Sequence, residues 1–257
     1  MRWRILSAVK NMLVPKGKYP RKVRLGLYKG LTIEADLEHD MQLLTGLWER
    51  ETYSCIRLAA TRCDWAIDIG AGNGELVLFL LRECEAKPVI AVEPRLEANK
   101  AIERNLRLNR MPADRLAIRT NYVGVDKDAG QISLNSLAIS LFGRGFIKLD
   151  VDGGELDVLR SGTECLTRTG LDLLIETHSS QLEIECMDLL KKYAFTCSII
   201  KNAWWRVILP ELRPIDHNRW IWATHIQGLP SAAFMESLRV TKVGGWVLQR
   251  GYENLRL

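Results

Sequence analysis

Residues 66–76 read AIDIGAGNGEL, which predicts a buried strand, a glycine turn and the start of a helix. Gly70, Gly72 and Gly74 fall in the turn, where glycines permit positive φ and let a ligand approach the backbone closely. The unpaired N–H groups at the start of the following helix supply further hydrogen-bond donors. The stretch therefore predicts a ligand-binding loop at the end of the first core strand.

Short apolar segments alternate with amphipathic segments along the rest of the chain. We expect strands at residues 65–69, 89–93, 116–120, 146–151, 171–176, 195–200 and 220–224, and helices at residues 74–85, 96–109, 155–168 and 180–193. Ser180 and Glu183 have the spacing of a capping box at the start of the last helix. Ahead of these elements we expect a hairpin at residues 23–33 and a helix at residues 41–60. Strands separated by helices form βαβ units, so the prediction is a doubly wound α/β fold.

Charge is distributed unevenly along the sequence. The 257 residues carry 36 Lys and Arg side chains and 31 Asp and Glu side chains, a formal net charge of +5, yet residues 1–30 contain nine basic and no acidic side chains. Such an arm can bind nucleic acid or an anionic membrane surface. Its apolar residues recur at near-helical spacing, so a helix that packs on its own domain explains the pattern equally well.

The cysteine pattern argues against a disulfide or zinc framework. The six cysteines are scattered, without a CxxC pair or a Cys/His cluster at zinc-ligand spacing. The apolar run at residues 76–81 is far shorter than the ~18 residues that a membrane-spanning helix needs. Charges recur through residues 10–24, which is atypical of a secretory signal. The expected location is cytoplasmic, with peripheral membrane contact through the arm as an open alternative.

Two acidic side chains flank the glycine loop. Glu93 ends the second core strand, where a carboxylate can accept hydrogen bonds from both hydroxyls of a ribose. Asp68 would repel a pyrophosphate, but it suits the cationic sulfonium and amino group of S-adenosylmethionine. Asn121 and Tyr122, which follow the third strand, are candidates for contact with the adenine. The predicted cofactor contacts are Asp68, Gly70, Gly72, Asn73, Gly74, Glu93, Asn121 and Tyr122.

These motifs resemble a known family of enzymes. The sequence DIGAGNGE (68–75), followed by AVEP (91–94) and RNLRLN (104–109), resembles the class I S-adenosylmethionine-dependent methyltransferases. The resemblance implies a Rossmann-like, mostly parallel sheet of seven strands in one domain. It also implies that S-adenosylmethionine is the cofactor.

Three further segments are similar to the FkbM-type subfamily of these methyltransferases. They are GLWERETYSCIRLAA (46–60), IKLDVDGGELDVLRSG (147–162) and LLIETH (173–178). Asp152 stands where that subfamily usually has Glu. The expected organisation is a methyltransferase domain at residues 28–225, preceded by a basic amphipathic arm at 1–27 and followed by a partly helical tail at 226–257.

The end of the fourth strand carries the candidates for catalysis. Ligands bind beyond the carboxyl ends of parallel strands, and strand alternation predicts that Asp150 and Asp152 share one face there. These carboxylates, or alternatively His178 after the fifth strand, could orient an acceptor hydroxyl and remove its proton. Glu155 has the simpler expected role of capping the next helix. The carboxylates could instead hold a divalent cation, but the spacing does not demand a metal and none is predicted.

The FkbM-type resemblance implies O-methylation of a hydroxyl on a sugar, polyketide or related small metabolite. The fourth strand lacks the Asn-Pro-Pro-aromatic motif of enzymes that methylate amino nitrogens, and no Pro-Cys pair offers a nucleophile for pyrimidine carbons. One alternative is an RNA methyltransferase or nucleic-acid-binding protein that uses the basic arm, with Trp3 and Tyr19 as stacking groups and with an aromatic-basic cluster at Trp204, Trp205 and Arg206. Another is a binding protein that keeps the cofactor site and has lost the reaction.

Overall fold

A central sheet of seven strands organises the part of the chain that this computed structural model describes, residues 14–84, 87–125, 130–203, 206 and 217–225. In chain order the strands are β1 (Lys18–Lys22), β2 (Thr32–Asp36), β3 (Trp65–Ile69), β4 (Val89–Val92), β5 (Leu116–Arg119), β6 (Tyr122–Val123), β7 (Gln131–Ile132), β8 (Gly145–Leu149), β9 (Leu171–Thr177), β10 (Thr196–Ile200) and β11 (Arg219–Thr224). The α-helices are α1 (Met41–Leu44), α2 (Tyr53–Arg62), α3 (Glu75–Glu83), α4 (Leu96–Leu108), α5 (Leu134–Ala138), α6 (Glu155–Arg160), α7 (Thr163–Leu166) and α8 (Ser180–Lys192).

The order of strands across the central sheet is β10-β11-β9-β8-β3-β4-β5. The strands from β9 to β5 pair in parallel, whereas β11 and β10 are antiparallel to their neighbours. The chain moves outward from β3 to β5 and then returns to the other side of β3 with β8. Strand order therefore reverses between β3 and β8, which is where open α/β sheets bind ligands. The predicted doubly wound, Rossmann-like and mostly parallel sheet is confirmed.

The central strands are buried because they carry almost continuous apolar sequence. All residues of β3, β4, β8 and β9 are buried, as expected of parallel strands that helices cover on both faces. The last residues of β3, β4 and β8 are in register with one another. Gly70, Glu93 and Asp150 therefore leave the sheet side by side, which brings the glycine loop and two of the predicted acidic residues to one place.

Two predicted elements ahead of the sheet have the wrong bounds. The hairpin expected at residues 23–33 is formed by the antiparallel strands β1 and β2, which leaves residues 23–31 as their connection. The helix expected at residues 41–60 is broken into α1 and α2. Gly46 and Glu49 lie in the break with φ of +70° and +47°, a left-handed conformation that an α-helix of L-residues does not continue through.

Two predictions for the later helices are also wrong in detail. The helix expected at residues 155–168 is two short helices, with Ser161 and Gly162 between them; Ser161 Oγ donates a hydrogen bond to the Val158 carbonyl at 2.7 Å where α6 ends. The capping residue of α8 is Ser179, whose Oγ accepts a hydrogen bond from the N–H three residues further on at 3.1 Å. Ser180, the predicted cap, already lies in the first turn.

Two asparagines of α4 attach the β1–β2 hairpin to the core. Asn109 Oδ1 accepts a hydrogen bond from Thr32 N at 2.8 Å, and Asn109 Nδ2 donates to Thr32 O at 2.6 Å. The fully buried Asn105 accepts from Glu34 N at 2.8 Å and donates to Asn73 O at 2.9 Å. Helix α4 therefore holds both β2 and the glycine loop.

Some of the remaining predictions concern residues that the structure describes, and others concern residues outside the described ranges. The six cysteines are free, and the predicted burial is confirmed for five of them. Among the described residues no helix has the length and apolar character needed to cross a membrane. The amphipathic pattern of residues 1–13, the tryptophans Trp204 and Trp205, and the tail at 226–257 lie outside the described residues.

Candidate active site

A cleft of about 710 Å³ opens at the carboxyl ends of β3, β4 and β8, where the strand order reverses. Most of the predicted site residues lie in its walls, namely Asp68, Gly70, Gly72, Asn73, Glu93, Asn121, Tyr122, Asp150 and Asp152. Gly74 instead precedes α3 and packs against Ile102. The predicted residues that line the cleft therefore come from four separate segments of the sequence.

Gly70 determines how closely the glycine loop approaches the end of β8. Its φ is +82°, and a Cβ at this position would overlap the backbone carbonyl of Asp150. Gly72 also has a positive φ, +54°, but a Cβ there would meet open space. The loop thus presents its backbone to the cleft at Gly72 while it is packed against the sheet at Gly70.

Glu93 holds the loop through charge-assisted hydrogen bonds. Its Oε2 accepts from Gly72 N at 3.0 Å, and its Oε1 accepts from Arg95 N at 3.0 Å and Arg95 Nε at 2.8 Å. Burial opposes ionisation of Glu93, yet the bonds from Arg95 and Gly72 outweigh it and lower the pKa of this carboxyl. Arg95 was missed by sequence reasoning. Its guanidinium occupies the carboxylate sites that the ribose hydroxyls were predicted to use.

Asp68 is a buried carboxylate with one free oxygen. Its side chain is almost fully buried in the cleft wall, and among the described residues its Oδ1 has no hydrogen-bond partner. Burial raises the pKa of Asp68 to about 6; Lys148 opposes this shift, while Asp150 and Glu93 add to it. A ligand group that is cationic and donates a hydrogen bond would satisfy this oxygen.

Asp150 belongs to a buried network that sequence reasoning missed. Its Oδ2 accepts a hydrogen bond from Lys148 Nζ at 3.0 Å, and Lys148 lies 5.2 Å from the centroid of the Trp220 ring. Burial disfavours the charged form of Asp150, yet Lys148 and a hydrogen bond from Glu176 lower its pKa to about 2. Burial and the adjacent Asp150 raise the pKa of Glu176 to about 11. Asp150 is therefore the anion of the pair, and Glu176 retains the proton.

Asp152 is not part of the strand. Because β8 ends at Leu149, the prediction that Asp150 and Asp152 share a strand face is wrong. Asp152 has a left-handed backbone with φ of +49°, and its side chain is 69% exposed. Its Oδ1 nevertheless lies 3.4 Å from His178 Nε2, so the loop after β8 brings this carboxylate to the predicted histidine.

His178 joins the two aspartates in one cluster. Its Nε2 is 3.4 Å from Asp152 Oδ1 and 3.9 Å from Asp150 Oδ1, while its Nδ1 is 2.7 Å from Glu155 Oε1. The hydrogen bond to Glu155 raises the pKa of His178 against the effect of burial. The two alternatives for the base, an aspartate or the histidine, are thus neighbours in the structure. Glu155 was expected only to cap a helix, and its spacing from His178 in sequence gave no signal of this contact.

Two groups of described side chains near the cleft lie close enough together to hold a metal ion. They are Asp150, Asp152 and His178, and Glu49, Asp150 and Glu176. Lys148 already places a positive charge against Asp150, which both groups share. The sequence-based expectation of no metal therefore stays a prediction.

The segment ahead of β3 adds a wall that sequence reasoning missed. Its contribution comes from Tyr28, Asp40, Leu43, Trp48 and Glu49. Trp48 and Glu49 belong to the segment 46–60, whose likeness to the FkbM-type subfamily was the only signal. On the opposite wall, Asn121 Nδ2 donates a hydrogen bond to Gly130 O at 3.2 Å, and the ring of Tyr122 is exposed.

Comparison with known proteins finds likeness in structure at low sequence identity. No protein-family model and no curated protein matches the chain. Methyltransferase FkbM from Methylobacillus flagellatus KT is 16% identical, with 63% of this chain and 43% of that chain covered and a TM-score of 0.49. The match thus spans less than half of that protein's length.

Two further solved structures are similar to the same degree. A SAM-dependent O-methyltransferase from Thermotoga maritima is 17% identical, with 71% of this chain and 67% of that chain covered and a TM-score of 0.48. TYW2 from M. jannaschii, solved in complex with AdoMet, is 13% identical, with 82% and 85% covered and a TM-score of 0.49.

Proposed function

We propose that the protein is an S-adenosylmethionine-dependent methyltransferase that methylates a hydroxyl of a small metabolite, such as a sugar or polyketide. The observation that carries this proposal is the convergence of Asp68, the glycine loop and Glu93 on one cleft at the point where strand order reverses. The resemblance of the sequence motifs to class I methyltransferases agrees with it.

The residues present fit the cofactor. Asp68 Oδ1 is buried without a partner among the described residues, and it would accept a hydrogen bond from the cationic amino group of S-adenosylmethionine. The open backbone at Gly72 leaves room for a ligand against the loop. Glu93 stands at the loop, and its carboxylate can bind ribose hydroxyls once the exposed Arg95 guanidinium moves aside.

The chain itself has to align the acceptor and take its proton. S-adenosylmethionine supplies the methyl electrophile when bound, so the reaction needs no nucleophile from the protein. Alignment in the cleft accounts for a large part of such rate enhancements, and a positioned base adds ~100 to 10,000-fold. Because the pKa of Asp150 is about 2, Asp150 is a weak base and orients the acceptor. His178, with its raised pKa, takes the hydroxyl proton.

The charge around His178 favours an acceptor that is not an anion. Asp150, Asp152 and Glu49 are acidic and lie in the cleft walls, where they would repel the phosphates of a nucleic acid. Trp48 adds an aromatic face of the kind that packs against sugar rings. A small neutral hydroxyl compound therefore fits the cleft better than RNA, which is the main alternative.

Labelled methyl transfer tests this function. The purified chain is incubated with S-adenosylmethionine carrying a labelled methyl group and with cell extract, which is then separated into RNA, protein and small molecules. We expect label in the small-molecule fraction. Label confined to RNA would overturn the proposed acceptor class, and absence of transfer together with absence of cofactor binding would overturn the enzyme class.

Substitution of the proposed base provides the matched comparison. We expect His178→Gln to lower turnover by ~100-fold or more while cofactor affinity is kept, because a base acts on the acceptor and not on the cofactor. His39→Gln, at an exposed position, should retain full turnover. Full activity of His178→Gln would remove His178 from the mechanism.

A further inference from the structure

We propose that Glu155 is a positioning residue, which fixes the His178 ring with its proton on Nδ1 so that the Nε2 lone pair faces the acceptor hydroxyl. The inference deepens the proposed methyl transfer and rests on it for the identity of the acceptor group. The hydrogen bond and the tautomer are properties of the protein alone, and they can be measured without substrate.

The hydrogen bond between the two side chains is short and shielded from water. Glu155 Oε1 lies 2.7 Å from His178 Nδ1, and Glu155 is fully buried. The same oxygen accepts a hydrogen bond from Gly153 N at 3.0 Å, so the loop after β8 holds the carboxylate in place. A carboxylate that accepts from Nδ1 fixes both the ring orientation and the tautomer of a histidine.

The other ring nitrogen lies beside acidic groups of the cleft wall. His178 is 11% exposed, and among the described residues its Nε2 is buried without a hydrogen-bond partner. The charged or titratable groups that face it are Asp150 and Asp152 from the loop after β8 and Glu176 from β9, at 3.9, 3.4 and 3.9 Å. Asp150 and Asp152 line the cleft, so Nε2 lies next to the wall against which we place the acceptor.

The proposed step transfers one proton and one methyl group. The acceptor O–H bond breaks, and its proton passes to the Nε2 lone pair. The oxygen electron pair forms the new bond to the methyl carbon as the bond from carbon to the sulfonium sulfur breaks, and its electron pair stays on sulfur. The resulting imidazolium is stabilised by Glu155 on one side and by the acidic groups near Nε2 on the other. The exposed carboxylate of Asp152 then offers the imidazolium proton a route to solvent.

The wild-type protein tests the tautomer directly. Nitrogen-15 NMR of labelled histidine, at a pH high enough for the ring to be neutral, distinguishes Nδ1–H from Nε2–H. The chain has four histidines, and the spectrum of His178→Gln identifies the signal. We expect the Nδ1–H form for His178. Finding the Nε2–H form, or an equal mixture, would overturn the proposal whatever the activity of the enzyme.

Glu155→Gln tests the consequence for turnover. The amide can donate to Nδ1, which would place the ring proton on Nε2, and the corresponding carboxylate-to-amide change in a Ser-His-Asp triad lowers turnover by ~10,000-fold. We expect a fall in kcat of ~100 to 10,000-fold, a switch of the NMR signal to Nε2–H, and unchanged KM for the acceptor. Glu164→Gln, an exposed position on α7, should match wild type.

The outcomes separate this proposal from the proposed function. A kcat of Glu155→Gln equal to that of wild type would show that Glu155 does not position the base. Absence of turnover in the wild type would contradict methyl transfer, while the NMR tautomer would still decide the role of Glu155. If Glu155→Gln does not fold, Glu155→Asp is the test variant, because it keeps the carboxylate. This variant should show the Nδ1–H signal and part of the wild-type turnover. The Nε2–H form in Glu155→Asp would contradict the proposal.

Discussion

Asp68 illustrates how a single residue links burial to ligand binding. Burial raises the pKa of this carboxyl to about 6, so lowering the pH through that value adds a proton and removes the charge. The protonated acid no longer attracts a cation. We therefore expect the affinity for S-adenosylmethionine to fall between pH 8 and pH 5 when it is measured by calorimetry. Asp68→Asn should bind more weakly and with a flatter pH profile; equal pH profiles in both proteins would contradict this.

Lys148 is the second residue whose burial has a measurable consequence. It is buried against Asp150, and its charge also acts on Glu49 and Glu176. Breaking a buried ion pair from one side costs about 3 to 5 kcal/mol, because the remaining charge is left uncompensated. We expect Lys148→Met to lower the free energy of unfolding in urea by about this amount. Lys100→Met, on the surface of α4, is the control, and equal stability of the two variants would contradict the account.

Some cleft residues can be recognised from the local sequence, and others cannot. The position of Asp68 and Glu93 in the cleft could be predicted, because each stands next to the glycine loop or at the end of a recognisable strand. The contact between Glu155 and His178 joins side chains that are 23 positions apart, and the pair of Lys148 with Asp150 depends on burial. Neither proximity across the fold nor the depth of a side chain is visible in local sequence.

At the scale of elements, helix α4 is the part that connects the hairpin to the cleft. Asn109 is the hydrogen-bond acceptor of the Thr32 amide. We expect Asn109→Ala to increase hydrogen exchange at Thr32 by about tenfold or more, since losing a net hydrogen bond of about 1.4 kcal/mol changes local opening by that factor. Exchange at Leu173, in the centre of β9, serves as the control. Unchanged exchange at Thr32 would show that the asparagine does not hold the hairpin.

The bounds of an element could be predicted where the apolar pattern of the sequence alone determines them. The strands of the central sheet fall within two residues of their predicted ends. For β3, β4, β8 and β9 the reason is that buried parallel strands read as near-continuous apolar runs. The helix expected at residues 41–60 failed because Gly46 and Glu49 take left-handed conformations. Glycine permits that conformation but does not require it. Nothing in the residue type of Glu49 indicates a left-handed backbone. Backbone strain of this kind is set by tertiary contacts.

At the scale of the whole molecule, topology explains why the site forms where it does. The reversal of strand order between β3 and β8 opens a crevice, and the register of β3, β4 and β8 delivers Gly70, Glu93 and Asp150 to it together. The alternation of strands and helices was sufficient to predict the fold class. It was not sufficient to predict the wall formed by Tyr28 and Trp48, because nothing in the alternation places the segment ahead of the sheet.

Calorimetric titration with S-adenosylmethionine measures whether the cleft binds the cofactor. We expect the wild-type chain to bind the cofactor and Glu93→Ala to weaken binding by about tenfold or more, because loss of a charge-assisted contact costs about 1.5 to 3 kcal/mol. Glu97→Ala, an exposed position at the start of α4, should bind as wild type does. Absence of binding by the wild type, or equal affinity of Glu93→Ala, would contradict the assignment of the cleft as a cofactor site.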